Sequence, residues 1–165
     1  MNEILQKENL ILKKQAKKIK LEEINSKKIK LLVSKMNKIL EKTENGVALS
    51  APQIGESLQV FVVSDKVFNN SEQQDKNLVF INPEIIKKSK KTQNMEEGCL
   101  SVEGVYGIVP RSVKTKVRAY DEDGKIFEYG GSNILSQIFQ HEIDHLNGIL
   151  FTEKAIKLYE LNKNE

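Results

Sequence analysis

The stretch "FQHEIDHLNG", Phe139 to Gly148, holds His141 and His145, the only two histidines among 165 residues. Together with the preceding "SNILSQI" it reads as a helix, with Ser132 or Asn133 as its cap and Gly148 as its terminator. Residues four apart on a helix lie one turn above each other, so the two imidazoles face one point in space. Glu142, rotated by about 100° between them, is long enough to reach a water at that point. His-Glu-x-x-His is a divalent-metal pattern, and a catalytic site of this kind takes three protein ligands and leaves one position open. Gly148 fits the longer pattern His-Glu-x-x-His-x-x-Gly-x-x-His, but the last position is Phe151, which cannot ligate.

With no histidine left, the third ligand is a carboxylate or the single cysteine. Cys99 stands in "EEGCLS", a glycine-flanked turn after a strand, where backbone approaches another element closely. A lone cysteine also serves as a small buried apolar residue. The competing ligands downstream are Glu153 and Glu160.

Working outward, "LVSKMNKIL" and its flanks give apolar residues Ile29, Leu32, Val33, Met36, Ile39 and Leu40 at spacings of three and four. That is one stripe of an amphipathic helix over residues 26–42, capped by Asn25 or Ser26. "LQVFVVS" (58–64) and "LVFINPEII" (78–86) have the β-branched, apolar profile of strands, Pro83 placing a bulge or an edge in the second. Between them "DKVFNNSEQQDKN" reads as a polar surface loop. "VKTKVRAY" and "KIFEY", joined by "DEDG", read as a hairpin with one buried face. The order helix, strands, hairpin, helix makes an α+β fold: antiparallel sheets around a central C-terminal helix, with an N-terminal amphipathic helix. Residues 1–165 are expected to form one catalytic domain.

Charged residues are 30% and apolar residues 39% of the chain, with a net charge of +3. The opening "MNEILQKENLILKK" has no apolar core of secretory or membrane-spanning length, and one cysteine forms no intrachain disulfide. The expected compartment is the cytoplasm, without membrane contact. Lysines crowd the region before residue 43, as a solvated helix face does. No motif for sequence-specific nucleic-acid binding accompanies them, and a ribosomal contact stays open.

A third stretch, "NGVALSAPQIG" (45–55), reads as a helix-to-strand connection. Its small residues Ala48, Ser50 and Ala51 allow backbone close to a ligand, and Gln53 offers an amide donor. With "GVALSAPQ", "EGCLS" and "QHEIDHLNG" in this order, the chain resembles the peptide deformylases, which remove the formyl group from the N-terminal formyl-methionine of nascent polypeptides. "VFVV" and "INPEI" extend the likeness over residues 4–151.

The resemblance implies that Cys99, His141 and His145 bind one divalent metal, Fe2+ in many bacterial members, with Zn2+, Ni2+ or Co2+ as substitutes. Ligand chemistry by itself points to zinc. It further implies that Glu142 takes a proton from a metal-activated water and returns it to the leaving amine. Gln53, through its side-chain amide, and Leu100, through its backbone N–H, stabilise the oxyanion. Gly46, Val47, Ala48, Glu97 and Gly98 become substrate-binding positions. Ile134 and Ile138, seven and three residues before His141 on its helix face, are the residues for a methionine pocket, with core packing as their alternative role. Asp144 is expected to orient a ligand histidine, and Arg111 to pair with Glu97 and brace the cysteine turn.

Four features depart from the family pattern. Ala48 replaces a glycine, placing a methyl where substrate backbone passes; Ser50 replaces the usual alanine; Glu103 replaces a proline; and the N-terminus lacks a Pro-Asp-Pro segment. The chain after Leu150 is short for the basic C-terminal helix that docks some members on the ribosome. Two other readings follow: a binder of formylated N-termini in which Ala48 blocks turnover, and a zinc endopeptidase ligated by Glu153 or Glu160.

Overall fold

The computed structural model describes residues 3–68 and 76–161. Helix α1 spans Lys27–Lys42, and Ser26 caps it by accepting from the Ile29 N–H at 3.3 Å. All six residues of the predicted stripe are buried, and they face strands β1 (Ala48–Ser50) and β2 (Val60–Val63). Removing a side chain of this kind from water stabilises the fold by about 1.5–3 kcal/mol.

Strand β3 (Leu78–Lys88) pairs antiparallel with β2 on one side and with β6 (Lys114–Tyr120) on the other. Pro83 therefore lies in an interior strand. The register with β6 shifts between Ile81 and Glu84, so the proline sits in a bulge rather than on an edge. Asn82 there has φ of 49°, and its side chain accepts from the Ile19 N–H (2.9 Å) and donates to the Ile19 carbonyl (2.7 Å), tying the N-terminal segment to the sheet. The predicted hairpin is β6 with β7 (Ile126–Ser132); Thr115, Val117 and Ala119 form its buried face. The order of this sheet is β1-β2-β3-β6-β7. The loop expected at residues 65–77 opens with a 3-10 turn at Asp65–Val67, and Val67 and Phe68 pack against the core; its middle, 69–75, lies outside the described residues.

A second antiparallel sheet, in the order β4-β5-β8, contains β4 (Thr92–Cys99), β5 (Val102–Ser112) and β8 (Lys157–Glu160). Helix α2 (Ile134–Leu146) packs against β1, β6 and β7 of the first sheet and against β5 of the second. Phe139 anchors it in an aromatic stack, 5.2 Å from Phe80, which lies 4.6 Å from Phe61.

The start of α2 differs from expectation. Ser132 closes β7, and Asn133 holds the cap position at φ 52° without a side-chain cap bond, its N–H donating to the Val113 carbonyl at 2.9 Å. The helix is instead pinned from its flank: Ser136 Oγ donates to the Ser112 carbonyl (2.7 Å) and Gln140 Oε1 accepts from the Ser112 N–H (3.0 Å). At the far end Gly148 (φ 73°) lies against the backbone of Lys13 and Lys14, and the Ala16 N–H donates to the Leu146 carbonyl at 2.8 Å.

A Cβ at Gly148 would lie 2.7 Å from the Lys13 carbonyl carbon and oxygen, in a backbone conformation that L side chains rarely adopt. Gly148→Ala is expected to lower unfolding free energy by about 1–3 kcal/mol in urea titration, since both the strain and the backbone contact must be relieved.

Candidate functional site

Three segments converge on one cavity: the end of β4, the middle of α2, and the turn after β1. Strand β4 loses register with β5 between Gly98 and Cys99, and this irregularity turns the cysteine out of the regular ladder. Cys99 Sγ accepts from the Ser101 N–H (3.4 Å) and lies 3.2 Å from His145 Nε2. One donor atom from each of Cys99, His141 and His145 lies within 4.8 Å of the others. Glu153 and Glu160 are elsewhere: Glu153 Oε2 accepts from the Leu150 N–H (2.7 Å), and Glu160 lies in β8 opposite Val105.

The second nitrogen of each ring shows how the histidines are held. His141 Nδ1 is 2.8 Å from Glu97 Oε2, which leaves Nε2 for the convergence point. His145 Nδ1 is buried with no hydrogen-bond partner among the described residues, as is Glu142 Oε2. A thiolate and two imidazoles on one point, beside a buried carboxylate with a free oxygen, fit a divalent transition ion and its water.

Asp144 does not touch a histidine. Its oxygens accept from Arg111 Nη1 (2.7 Å) and Lys154 Nζ (2.8 Å). The orienting carboxylate is Glu97, whose two oxygens also accept from Arg111 Nε (2.5 Å) and Nη2 (2.9 Å). The Arg111–Glu97 pair thus stands as expected, while the partner of His141 comes from β4 instead of the helix. A sequence offers no local sign of this, because Glu97 and His141 meet only through tertiary contact.

Gln53 sits on a 3-10 turn, Ala51–Ile54, that follows β1 directly; the stretch read as a plain connection is a strand and a turn. Its side chain is 2% exposed, with Nε2 3.2 Å from Ser101 Oγ and 3.7 Å from Cys99 Sγ. Leu100 lines the cavity beside Cys99, and its carbonyl accepts from Gln6 Nε2 at 3.0 Å. Gln6 also accepts from the Glu103 N–H (3.3 Å), a brace on the cysteine turn that sequence reasoning missed.

The cavity measures about 340 Å³. Gly46, Val47 and Ala48 form one wall, Glu97 and Gly98 another, and Ile134 and Ile138 come from α2. The isoleucines divide the roles expected of them: Ile138 is buried and packs in the core as well, whereas Ile134 is 63% exposed at the rim. Ala48 belongs to the same buried apolar cluster as Phe139 and Ile138 and is 6% exposed. Asn45, Tyr106, Gln137 and Glu96 also line the cavity and were not foreseen, since each lies outside the three short motifs.

Burial dominates the electrostatics. It pushes the Glu142 carboxyl up to about 7, against the pull of His141. It also lowers His145 well below the usual imidazole value, helped by the charge on His141. For Glu97 burial acts upward, but hydrogen bonds from Arg111 and His141, with their charges, bring it to about 2. Burial likewise opposes charge on His141, yet Cys99 and Glu97 raise it well above its ordinary value in the metal-free protein.

Because Glu97 is depressed from 4.5 to about 2, the stability it confers is full above the ordinary carboxylate range and is lost as pH falls through about 2. Urea unfolding of metal-free protein should show that loss between pH about 4.5 and 2, and Glu97→Gln should flatten it.

A family model described as polypeptide deformylase matches residues 1–160. The peptide deformylase of Desulforudis audaxviator (strain MP104C) is 45% identical over 114 residues, 69% of this chain and 70% of that protein. That of Dictyoglomus thermophilum (strain ATCC 35947 / DSM 3960 / H-6-12) is 41% identical over 147 residues, 89% of this chain and 88% of the relative. Among solved structures, a class I type b peptide deformylase from Acinetobacter baumannii bound to Met-Ala-Ser superimposes with a TM-score of 0.81 at 33% identity, covering 92% of this chain and 96% of that one.

Proposed function

The chain belongs to the peptide deformylase family, and from that premise we propose how its residues divide the work. Its activity is metal-dependent hydrolysis of the formyl group from the N-terminal formyl-methionine of nascent polypeptides, with release of formate. The observation that carries the residue assignment is the meeting of Cys99, His141 and His145 within 4.8 Å, next to the buried, unpartnered Glu142 Oε2.

Cys99, His141 and His145 would hold a divalent ion, with Glu97 fixing the ring of His141 and Arg111 fixing Glu97. A divalent ion bound there supplies Lewis acidity, which makes a water nucleophilic near neutral pH. Glu142 would accept a proton from the attacking water; a buried carboxyl pushed up to about 7 exchanges protons readily near neutral pH. Attack on the formyl carbon drives charge onto the formyl oxygen. The Gln53 Nε2 amide and the Leu100 N–H donate to it. Glu142 then returns the proton to the departing amine. The methionine side chain enters the cavity between Val47 and Ile138, with Ile134 at its mouth and Gly46, Ala48 and Gly98 in the wall along which substrate backbone runs. An A. baumannii relative bound to Met-Ala-Ser supports a methionine-terminated peptide in this cavity.

The ion proposed for the cell is Fe2+, with Zn2+, Ni2+ and Co2+ as replacements. The cytoplasm is the proposed compartment, supported by a single unpaired cysteine and by the absence of any described helix long and apolar enough to cross a membrane. The ribosome is the proposed docking partner, supported by the exposed lysines 28, 35 and 38 on the outer face of α1. Residues 1–165 are taken as one catalytic unit.

Formate release from a formyl-methionyl peptide, measured on protein purified without oxygen with metal quantified in the same sample, tests the assignment. Turnover should scale with metal content up to about one ion per chain. Cys99→Ser should lose metal on dialysis. Glu142→Ala should keep it while slowing formate release by about 10²- to 10⁴-fold. A Cys99→Ser protein that retains its metal would overturn the ligand set.

A further inference from the structure

Ser50 is the one polar residue of the stretch 46–53, besides Gln53 itself, that the catalytic assignment leaves without a role. It is fully buried (0% exposed). Its backbone N–H donates to Gln53 Oε1 at 2.9 Å, and its hydroxyl donates to the same oxygen at 3.1 Å. At the other end of the amide, Nε2 is 3.2 Å from Ser101 Oγ, with Cys99 Sγ 3.7 Å away.

The geometry has two consequences for a donor. The last torsion of a glutamine is broad, so an amide held by one bond swings over a wide arc. Two donors on Oε1, both from Ser50, hold that plane, and the backbone N–H admits only the orientation with oxygen toward Ser50 and nitrogen toward Cys99. Ser101 Oγ then accepts one Nε2 hydrogen, and the other is directed to the Cys99 side of the site, where Sγ is its acceptor in the absence of substrate. Donation into Oε1 also polarises the amide, which strengthens the N–H at its far end.

We propose that Ser50 is a positioning residue for deformylation: its hydroxyl, with its own N–H, fixes Gln53 Oε1 and so aims and strengthens the Nε2 donor at the developing oxyanion. The proposal rests on the assignment of Gln53 to that oxyanion. A purely structural role for the hydroxyl is to cap the short turn that Ser50 precedes, and it predicts a different outcome.

The test is a double-mutant cycle read as kcat and KM for a formyl-methionyl peptide on metal-loaded protein, well below the melting temperature of every variant. Ser50→Ala should lower kcat by about 3- to 10-fold, the range that one hydrogen bond supports, with KM within about twofold. In a Gln53→Ala background the same change should have no further effect. Ser50→Cys, which keeps the volume and donates weakly, should fall between serine and alanine. A Ser50→Ala protein that melts earlier but retains wild-type kcat would overturn the proposal, and so would losses that multiply in the double variant. Gln53→Ala at the wild-type rate would overturn the oxyanion assignment itself, an outcome distinct from a slow Gln53→Ala beside an unaffected Ser50→Ala.

Discussion

Arg111, 3% exposed, donates through Nε and Nη2 to both oxygens of Glu97 and through Nη1 to Asp144, so one guanidinium spans β4 and α2. Taking three charges out of water is costly unless each is paired and fully hydrogen-bonded. Here Lys154 completes the group by donating to the free oxygen of Asp144, giving two cations and two anions. The planar fork of an arginine is needed for this, since the ammonium of a lysine cannot grip one carboxylate with two donors and reach another. Glu97 Oε2 also receives His141, and Cys99 lies two residues farther along β4. A proposed metal ligand from each of two elements is therefore indexed to the same carboxylate.

Helix α2 carries an unusual load for a central helix. Ser136, Gln140, Glu142, Asp144 and His145 are all buried on it, alongside Phe139 and Leu146. Buried polar groups are tolerated where they find partners. Ser136 and Gln140 find them on Ser112, and Asp144 finds Arg111 and Lys154. Apart from Thr115 Oγ1 on β6, the buried side-chain atoms left without a partner among the described residues are Glu142 Oε2 and His145 Nδ1. Both atoms belong to the His-Glu-x-x-His stretch, and Glu142 lines the cavity. A natural sequence departs from local consistency mostly where chemistry requires it.

Much of the architecture was legible because it is written in local periodicity. The stripe of α1, the alternation in β6 and the four-residue spacing of His141 and His145 each follow from the geometry of one element. The second sheet was legible only as a strand before Cys99: "TQNMEEGC" is largely exposed and polar, and β4 takes its strand conformation from hairpin pairing with β5 rather than from a buried face of its own. The start of α2 escaped for a related reason, as Asn133 is held at positive φ by the Val113 carbonyl and not by its own side chain. Gln6, Tyr106 and Lys154 carried no motif, and their places follow only from folding.

What the sequence determined by itself is the chemistry available: one cysteine, two histidines one helical turn apart, a glutamate between them, and three short motifs in a fixed order. These are properties of residue type and spacing within single elements. Tertiary structure decided which carboxylate serves which partner. Asp144 and Glu97 are equivalent on paper as partners for a histidine, yet only Glu97 reaches His141 (2.8 Å), while Asp144 turns to Arg111 and Lys154. The reason is that orientation around α2 is set by packing between two sheets, and a residue's partner across that gap depends on β-strand register, which no local pattern encodes.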